Sequence, residues 1–547
     1  MKTPRRFPEH GPGVALVSTY QSSKESGEMA RRVPTHPCPC DGATPGRTAL
    51  AQTEEATMKF IPLVEHIPVQ PGHAELAAVE RLAEQLRAEQ TDFQLDEGLR
   101  DHCVDRLDDG PALHLDDLSA IAHPGAVDTL TPLQDRARLR AGDGDLVATC
   151  SLPVTGYEDY CRTWLGLGAA EILFPRPPRD PLHLALACWE DRAIRRKLIQ
   201  RLRAGELAYL HPHMGSFAVW ELAVLLYGAS RRPVKVIAPP PALCQWVNDK
   251  IKFTGTVARL FGKAYIPRTT CSWNLTALTH EVKQFSARCQ AIGVKLPHAA
   301  GGDGTLILDA TRFRGRALEE IREMMKEQLP PLGWDGRVPL LVNCWETQVL
   351  AAPSAQLWIP PLSEADPIVE GLFLQAFQEG ANGIFVGARR ADLPADLIQE
   401  MATRSWLLAR LFQMLGYVGR CSFDLLLVGD RLERCRAEFL ECNGRWGGTS
   451  GPMTLMNRLF GDWYQQPYVV RALRVPRLDR VPFPDLLAAF QEALYDVRTG
   501  HGRLILLNAS RMRALSEITV ICLGRTCQEA TEVLQHDLPC LLARVCP

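Results

Sequence analysis

The sequence predicts an α/β protein of several domains, and three observations carry that expectation. Strand-like and helix-like segments alternate closely between about residues 145 and 240, as a parallel sheet with helices on its faces requires. Further on, strands joined by glycine-rich or charged loops are interrupted by long helices. The 547 residues exceed what one core sustains and imply roughly two to four domains.

Composition narrows the class. Hydrophobic residues are 46% and charged residues 23%, ordinary for a globular chain. A net charge of −2, with no concentrated Lys/Arg patch, argues against nucleic acid as a partner. No run of about 18 apolar residues suggests a membrane span. The start, "MKTPRRFPEHGPG", lacks the apolar core of a secretory signal. The 17 cysteines are odd in number and scattered, which fits reduced thiols in the cytoplasm better than a disulfide framework. "PCPC" (Cys38, Cys40) has no second pair or histidine at zinc spacing.

Residues 1–57 are rich in Pro, Gly, Ser, Thr and charge without a period, and are expected to be disordered or an over-extended start before Met58. Residues 58–136 are expected to be a helical region: Leu76, Val79, Leu82 and Leu86 lie at helical spacing within 74–92. A parallel-sheet domain is expected over 137–249. Its strands are "DLVATC", "ELAYLHPHMG" and "PVKVIAPP"; one of its helices, "SFAVWELAVLLYG", is capped by Ser216 and closed by Gly228. From 250 to 460, "GVKLP" and "LILDA" make a hairpin about a glycine loop, followed by strands "VPLLVNCW", "AQLWIPP" and "GIFVGA". A long helix from Pro394 towards Gly416 leads to a second strand pair, "RCSFDLLLVG" and "AEFLECNG". Residues 461–547 add helices and the strands "RLILLN" and "EITVICLG".

The chemistry concentrates in that last strand pair. Alternation puts Arg420, Ser422, Asp424 and Leu426 on one face of its first strand, and Glu441, Asn443 and Arg445 on one face of its second. On that alternation Glu438 points the other way. If the strands pair through residues 429–435, Asp424 and Glu441 converge. Two carboxylates and an amide oxygen are hard ligands suited to Mg²⁺. The competing reading is a solvated hairpin face. Lys295 precedes Gly301, Gly302 and Gly304, whose backbone N–H groups could approach a phosphate, although no Walker A sequence follows; a plain hairpin turn competes. Lys250 in "NDKIKF" could reach phosphate or be a surface lysine. His211 and His213 in "HPHMG" could ligate metal or move protons, but no third ligand is near in sequence. No Gly-x-Ser-x-Gly elbow supports a serine hydrolase.

In this order the pieces resemble the ATP-grasp superfamily: Lys250 in "NDK", Lys295 in "VKL", "AAGGDGT", "LLVNCWE", Asp424 in "FDLLLV", and "ECNGR". The stretches "GVKLPHAAGGDGTLILDA", "APSAQLWIPP" and "GRLILLNASRMRALSEITVICLGRTCQEATEVL" look like the pre-ATP-grasp group typified by the pheganomycin-type peptide ligase. That resemblance covers roughly 400 residues. It implies an N-terminal pre-ATP-grasp parallel-sheet domain, a two-lobed ATP-grasp fold and a small α/β C-terminal region. It also implies roles. Lys250 and Lys295 would bind ATP phosphates under a loop at Gly301, Gly302 and Gly304. Asn343, Cys344 and Glu346 would frame adenine and ribose. Asp424, Glu441 and Asn443 would hold Mg²⁺ (Mn²⁺ being the alternative), and Arg445 and Arg420 would face the transferring phosphoryl group. Two positions depart from the pattern: Asn343 stands where a glutamate is common, and Ser422 where a basic residue is common.

The implied reaction is ATP-dependent joining of a small-molecule carboxylate to an amine, amino acid or peptide, through an acyl phosphate, in small-molecule or peptide natural-product biosynthesis. A homodimer is the assembly considered. A carboxylase-type or other phosphoryl-transferring enzyme is the second reading, against which no biotin-carrier segment is seen. A nucleotide-binding protein that has lost catalysis is the third.

Overall fold

The computed structural model describes residues 63–93, 97–108, 110–121, 125–176, 180–298, 304–378 and 383–546. The expected disordered start at 1–57, with Cys38 and Cys40, lies outside these residues, as do Gly301 and Gly302.

The alternating segments fold as a five-stranded parallel sheet: β1 (Ala112–Leu115), β2 (Leu146–Ala148), β3 (Glu171–Leu173), β4 (Tyr209–Pro212) and β5 (Lys235–Val236). The order is β3-β2-β1-β4-β5. Its middle strand, β1, lies in the stretch expected to belong to a helical region, so the sheet begins well before residue 137. "ALHL" is too short to show a period. Burial on both faces makes it a strand, and that burial is tertiary. Helix Phe217–Ser230 follows β4 and is capped by Ser216, whose hydroxyl accepts the Val219 N–H at 3.4 Å. It passes Gly228 and ends at Arg231 (φ 61°), so the expected glycine stop is not used.

The next unit is a four-stranded antiparallel sheet: β6 (Thr269–Ser272), β7 (Ala291–Lys295), β8 (Thr305–Asp309) and β9 (Leu340–Trp345), in the order β6-β9-β7-β8. Helices Leu275–Ser286 and Leu318–Gln328 pack on it through Leu278, Val282, Phe285, Ile321 and Met325. The expected hairpin is β7–β8, with Lys295 opposite Thr305 at its loop end. Gly304 there has φ 67°, a conformation that favours glycine.

The third sheet is antiparallel and has nine strands. They are β10 (Val349–Ala351), β11 (Pro353–Ile359), β12 (Ile368–Phe377), β13 (Phe385–Arg390), β14 (Gly419–Val428), β15 (Arg436–Asn443), β16 (Tyr468–Arg474), β17 (Leu504–Leu507) and β18 (Glu517–Leu523). The order is β10-β14-β11-β12-β13-β16-β18-β17, with β15 on β14. Sequence reading missed β12, "IVEGLFLQAF", because Glu370 and Gly371 interrupt its apolar run. In the fold Gly371 is required: a Cβ there would stand 2.4 Å from the Trp463 ring. Strand β13 pairs with β16, Gly387 opposite Arg471, so residues beyond 460 extend this sheet instead of forming a separate region.

Helices Lys250–Phe261 and Ala395–Met414 cover one face of the β11–β14–β15 end. Helix His73–Glu89, expected from its leucine stripe, joins the same core through Val79, Leu82 and Leu86. The mixed α/β class expected from the sequence is the one observed. Among the described residues no helix is long and apolar enough to cross a membrane.

Candidate active site

The β14–β15 hairpin sets the polar face. Asp424 stands directly opposite Glu441, and Ser422 opposite Asn443. On the reverse face Phe423, Phe439 and Cys442 enter the core, where Phe423 stacks on Phe253 at 5.7 Å. Apolar burial behind the strands thus holds the carboxylates forward. The register slips between Asp424 and Leu425, where Leu425 faces Phe439. This bulge corrects one expectation. Glu438, opposite Leu426, returns to the face of Asp424 and Glu441. It is buried and paired with Arg436 at 2.6 Å.

Asp424 is 8% exposed. Its Oδ1 accepts the Ser354 hydroxyl at 2.7 Å and its Oδ2 the Asn443 amide at 2.9 Å. Burial, then the neighbouring Glu441, pushes Asp424 up to about 6 against the bond from Ser354. Burial also pushes Glu441 upward, but Lys250, then Lys295 and Arg445, outweigh it and hold Glu441 below the usual range. The Lys250 ammonium lies 2.9 Å from Glu441 Oε2.

Segment 248–250 works as one anchor. Asn248 Oδ1 accepts the Gly444 N–H at 3.1 Å and a bond from Arg445, fixing the turn after β15. Asp249 caps helix Lys250–Phe261, accepting from Ile251 N at 2.7 Å and Lys252 N at 3.0 Å. Lys250 itself bonds through its backbone N–H to Pro297 O at 3.0 Å, next to the glycine loop. Sequence reading singled out Lys250 and missed Asn248, although the two share one tripeptide.

Lys295 ends β7, half-buried, with its ammonium 5.2 Å from the centre of the Trp345 ring. Burial lowers it to about 8; Glu441 opposes this and Lys250 adds to it. On β9, Asn343 stands opposite Gly293 and is 4% exposed. Its Nδ2 donates to Cys344 O at 2.7 Å, and its Oδ1 is buried without a hydrogen-bond partner among the described residues. A Cβ at residue 293 would stand 2.6 Å from that oxygen, so glycine leaves it room. The Cys344 thiol is pushed up to about 12, by burial first and then by Cys289. Glu346 pairs with Arg436 at 3.2 Å, beside Glu438.

Arg445 donates to Asn443 Oδ1 at 2.6 Å and to Asn248. Arg420 is elsewhere, which corrects its expected place at the phosphoryl group. It is 3% exposed and forms an ion pair with the fully buried Glu370 of β12, with Thr454 Oγ1 at 3.4 Å. Burial brings it down to about 9. The fold thus brings Lys250, Lys295, Asp424, Glu441, Asn443 and Arg445 together. It places Asn343 and Cys344 on β9, paired with the strand of Lys295, and Glu346 just past the end of β9, and it keeps Arg420 inside.

The carboxylate pair fits a divalent cation. Two carboxyl groups face each other in a desolvated setting that drives one of them towards protonation, and a cation would relieve this with hard oxygen donors. Asn443 Oδ1 is the third donor, at present engaged by Arg445. Among the described residues no group of three or more His, Cys, Asp or Glu side chains could hold a metal, so the amide is needed to complete the set.

Residues 134–227 match the family model described as Pre ATP-grasp domain. No curated protein matches the sequence. Among solved structures, the chain is similar to the biotin carboxylase domain of Hydrogenobacter thermophilus 2-oxoglutarate carboxylase, in complex with MgADP, ADP and bicarbonate. The identity is 12%, the TM-score 0.47, and the match covers 79% of this chain and 89% of that one. It is also similar to N5-carboxyaminoimidazole synthetase from Staphylococcus aureus complexed with ADP, at 10% identity and TM-score 0.46, covering 81% and 99%. D-alanyl-alanine synthetase A from Vibrio cholerae matches at 12% identity and TM-score 0.34, covering 47% and 72%.

Proposed function

We propose that this chain, which carries a Pre ATP-grasp domain, is an ATP-dependent carboxylate–amine ligase working through an acyl phosphate. One observation carries the reading: Asp424 and Glu441 face each other across a hairpin, with Lys250 on Glu441 and Lys295 and Arg445 beside it. Two carboxylates under three cationic groups suit a triphosphate with its metal and leave positive charge for the oxygens of a transferring phosphoryl group.

In this mechanism a substrate carboxylate oxygen attacks the γ-phosphorus of ATP, and the bond to the β-phosphate oxygen breaks to release ADP. The amine then attacks the acyl carbon. The carbon–oxygen bond to phosphate breaks, inorganic phosphate leaves with the electron pair, and the amine loses a proton to give the amide. Lys250 and Lys295 hold phosphate oxygens, and Arg445, fixed by Asn248 and Asn443, faces the group in transfer. Asp424, Glu441 and Asn443 would hold Mg²⁺, which when bound neutralises phosphate charge. Asn343, Cys344 and Glu346 would line the adenine and ribose end, and the loop with Gly301, Gly302 and Gly304 would cover the phosphates and exclude water. The pairing of peptide-like substrates in natural-product biosynthesis belongs to this proposal, as does a cytoplasmic setting.

The test is ADP and phosphate release with a panel of acids and amines. The ligase reading expects both products only when acid and amine are present, with a product mass equal to their sum less water. ATP binding without turnover across the panel would sink it and favour the inactive nucleotide-binding reading.

A further inference from the structure

The histidines of "HPHMG" found no role above, yet the fold gives them a specific address. In the parallel sheet the chain winds from β1 to β2 and β3 on one side, then to β4 and β5 on the other. The switch point lies between β1 and β4, and in such sheets ligands bind in the crevice beyond the carboxyl ends of the strands there. The first residues beyond those ends are Asp116 and His213, and His213 N–H bonds to Leu115 O at 3.0 Å.

The segment just after the β14–β15 hairpin packs against these strand ends. Trp446, next to Arg445, donates its backbone N–H to His213 O at 2.9 Å and its indole N–H to His211 Nε2 at 3.2 Å. The Arg140 guanidinium lies 4.7 Å from the centre of the Trp446 ring and 2.6 Å from Asp116 Oδ1. Asp116, Arg140 and His213 are 1%, 2% and 3% exposed.

These residues carry polar atoms without partners. Both ring nitrogens of His213, Asp116 Oδ2 and Arg140 Nε are buried and make no hydrogen bond among the described residues. Buried polar atoms are nearly always paired, so an occupant is implied. Burial brings His213 down to about 3; Asp116 opposes this, and Arg136, Arg445 and Arg140 add to it, so the ring is neutral. The unpaired set is therefore two donors, from Arg140 Nε and one His213 nitrogen, and two acceptors, Asp116 Oδ2 and the other nitrogen. A carboxylate takes both donors, and an N–H on the neighbouring carbon satisfies Asp116.

We infer that this crevice receives the α-amino carboxylate end of a substrate, held by Arg140, His213 and Asp116. The inference rests on the ligase reading and names its substrate class. A free α-amino acid and the C-terminal residue of a peptide share that chemistry.

The test uses the full chain, nucleotide-free and labelled with fluorotryptophan, with Trp446→Phe assigning the Trp446 fluorine signal. The probes are the common L-amino acids, their N-acetyl forms, glycyl dipeptides, and acetate and methylamine as controls. At least one α-amino carboxylate should shift the Trp446 signal saturably, while the controls at equal concentration do not. Free amino acids shifting it alone identify that source; N-acetyl forms or dipeptides identify a peptide end. His213→Ala and Arg140→Lys should each weaken binding about tenfold. The lysine keeps a charge opposite Asp116, and His213→Asn, which retains a donor and an acceptor, should weaken it less. Thermal melting shows that each variant is folded. A signal that no probe moves means the atoms hold water only and overturns the inference, as does undiminished binding by both variants. ADP formation without a signal shift overturns the crevice and spares the ligase; a shift without any ADP formation does the reverse.

Discussion

Glu441 and Asp424 are twins in sequence terms and opposites in the fold. Lys250 keeps the first ionised, while burial and Glu441 push the second up to about 6. Two predictions follow at this scale. Glu441→Gln should cut ADP formation about a hundredfold or more at saturating ATP. Asp424→Asn should also abolish turnover but stabilise the nucleotide-free protein near neutral pH. The sign comes from the raised value: the folded state holds the Asp424 proton more tightly than the unfolded chain. Its stabilising contribution is therefore complete below about pH 4 and lost as pH rises through about 6. Removing the charge recovers up to about 3 kcal/mol. Thermal melts of wild type and variant at both ends of that window check this; equal pH dependence would refute it.

Elements explain what single residues do not. Arg420 shares a face with Asp424 along β14, and sequence alternation therefore offered it to the substrate. Strand β12, which sequence reading missed, supplies Glu370 and claims it. Removing one partner of a buried pair leaves an uncompensated charge, so Arg420→Ala should destabilise by about 3–5 kcal/mol. The double change Arg420→Met with Glu370→Leu should recover most of that loss and keep ADP formation, since both charges go together. Loss of turnover in a stable double variant would return Arg420 to the chemistry. The junction at Asn248 is likewise an element-scale device, tying the start of helix Lys250–Phe261 to the turn after β15. Asn248→Ala should lower turnover about tenfold with little change in melting temperature, because it loosens Arg445 without opening the core.

At the scale of the molecule, the β13–β16 pairing joins the strands of the candidate site to the C-terminal strands. A chain ending at residue 460 would expose the β13 edge and lose Val470, Val520 and Ile521 from its core. Such edges and surfaces promote association. The truncated chain should be found in the insoluble fraction on expression, whereas a separable C-terminal region would leave it soluble and folded. The first helix behaves alike: His73–Glu89 precedes the parallel sheet in sequence but packs against Ala395–Met414.

The amino-acid sequence by itself determined the α/β class, most strands, several of the helices, and the meeting of Asp424 with Glu441, because hydrophobic period and a short hairpin are local properties. By motif it also grouped Lys250 and Lys295 with that pair, and the fold brings both near Glu441. It could not show β1 or β12, whose strand character comes from burial on neighbours distant in the chain. Nor could it show the bulge that returns Glu438 to the polar face, the Glu370 that takes Arg420, or the packing of His213 and Arg140 on Trp446. Each of these depends on which distant segment fills the space beside a residue, and only the packed tertiary structure decides that.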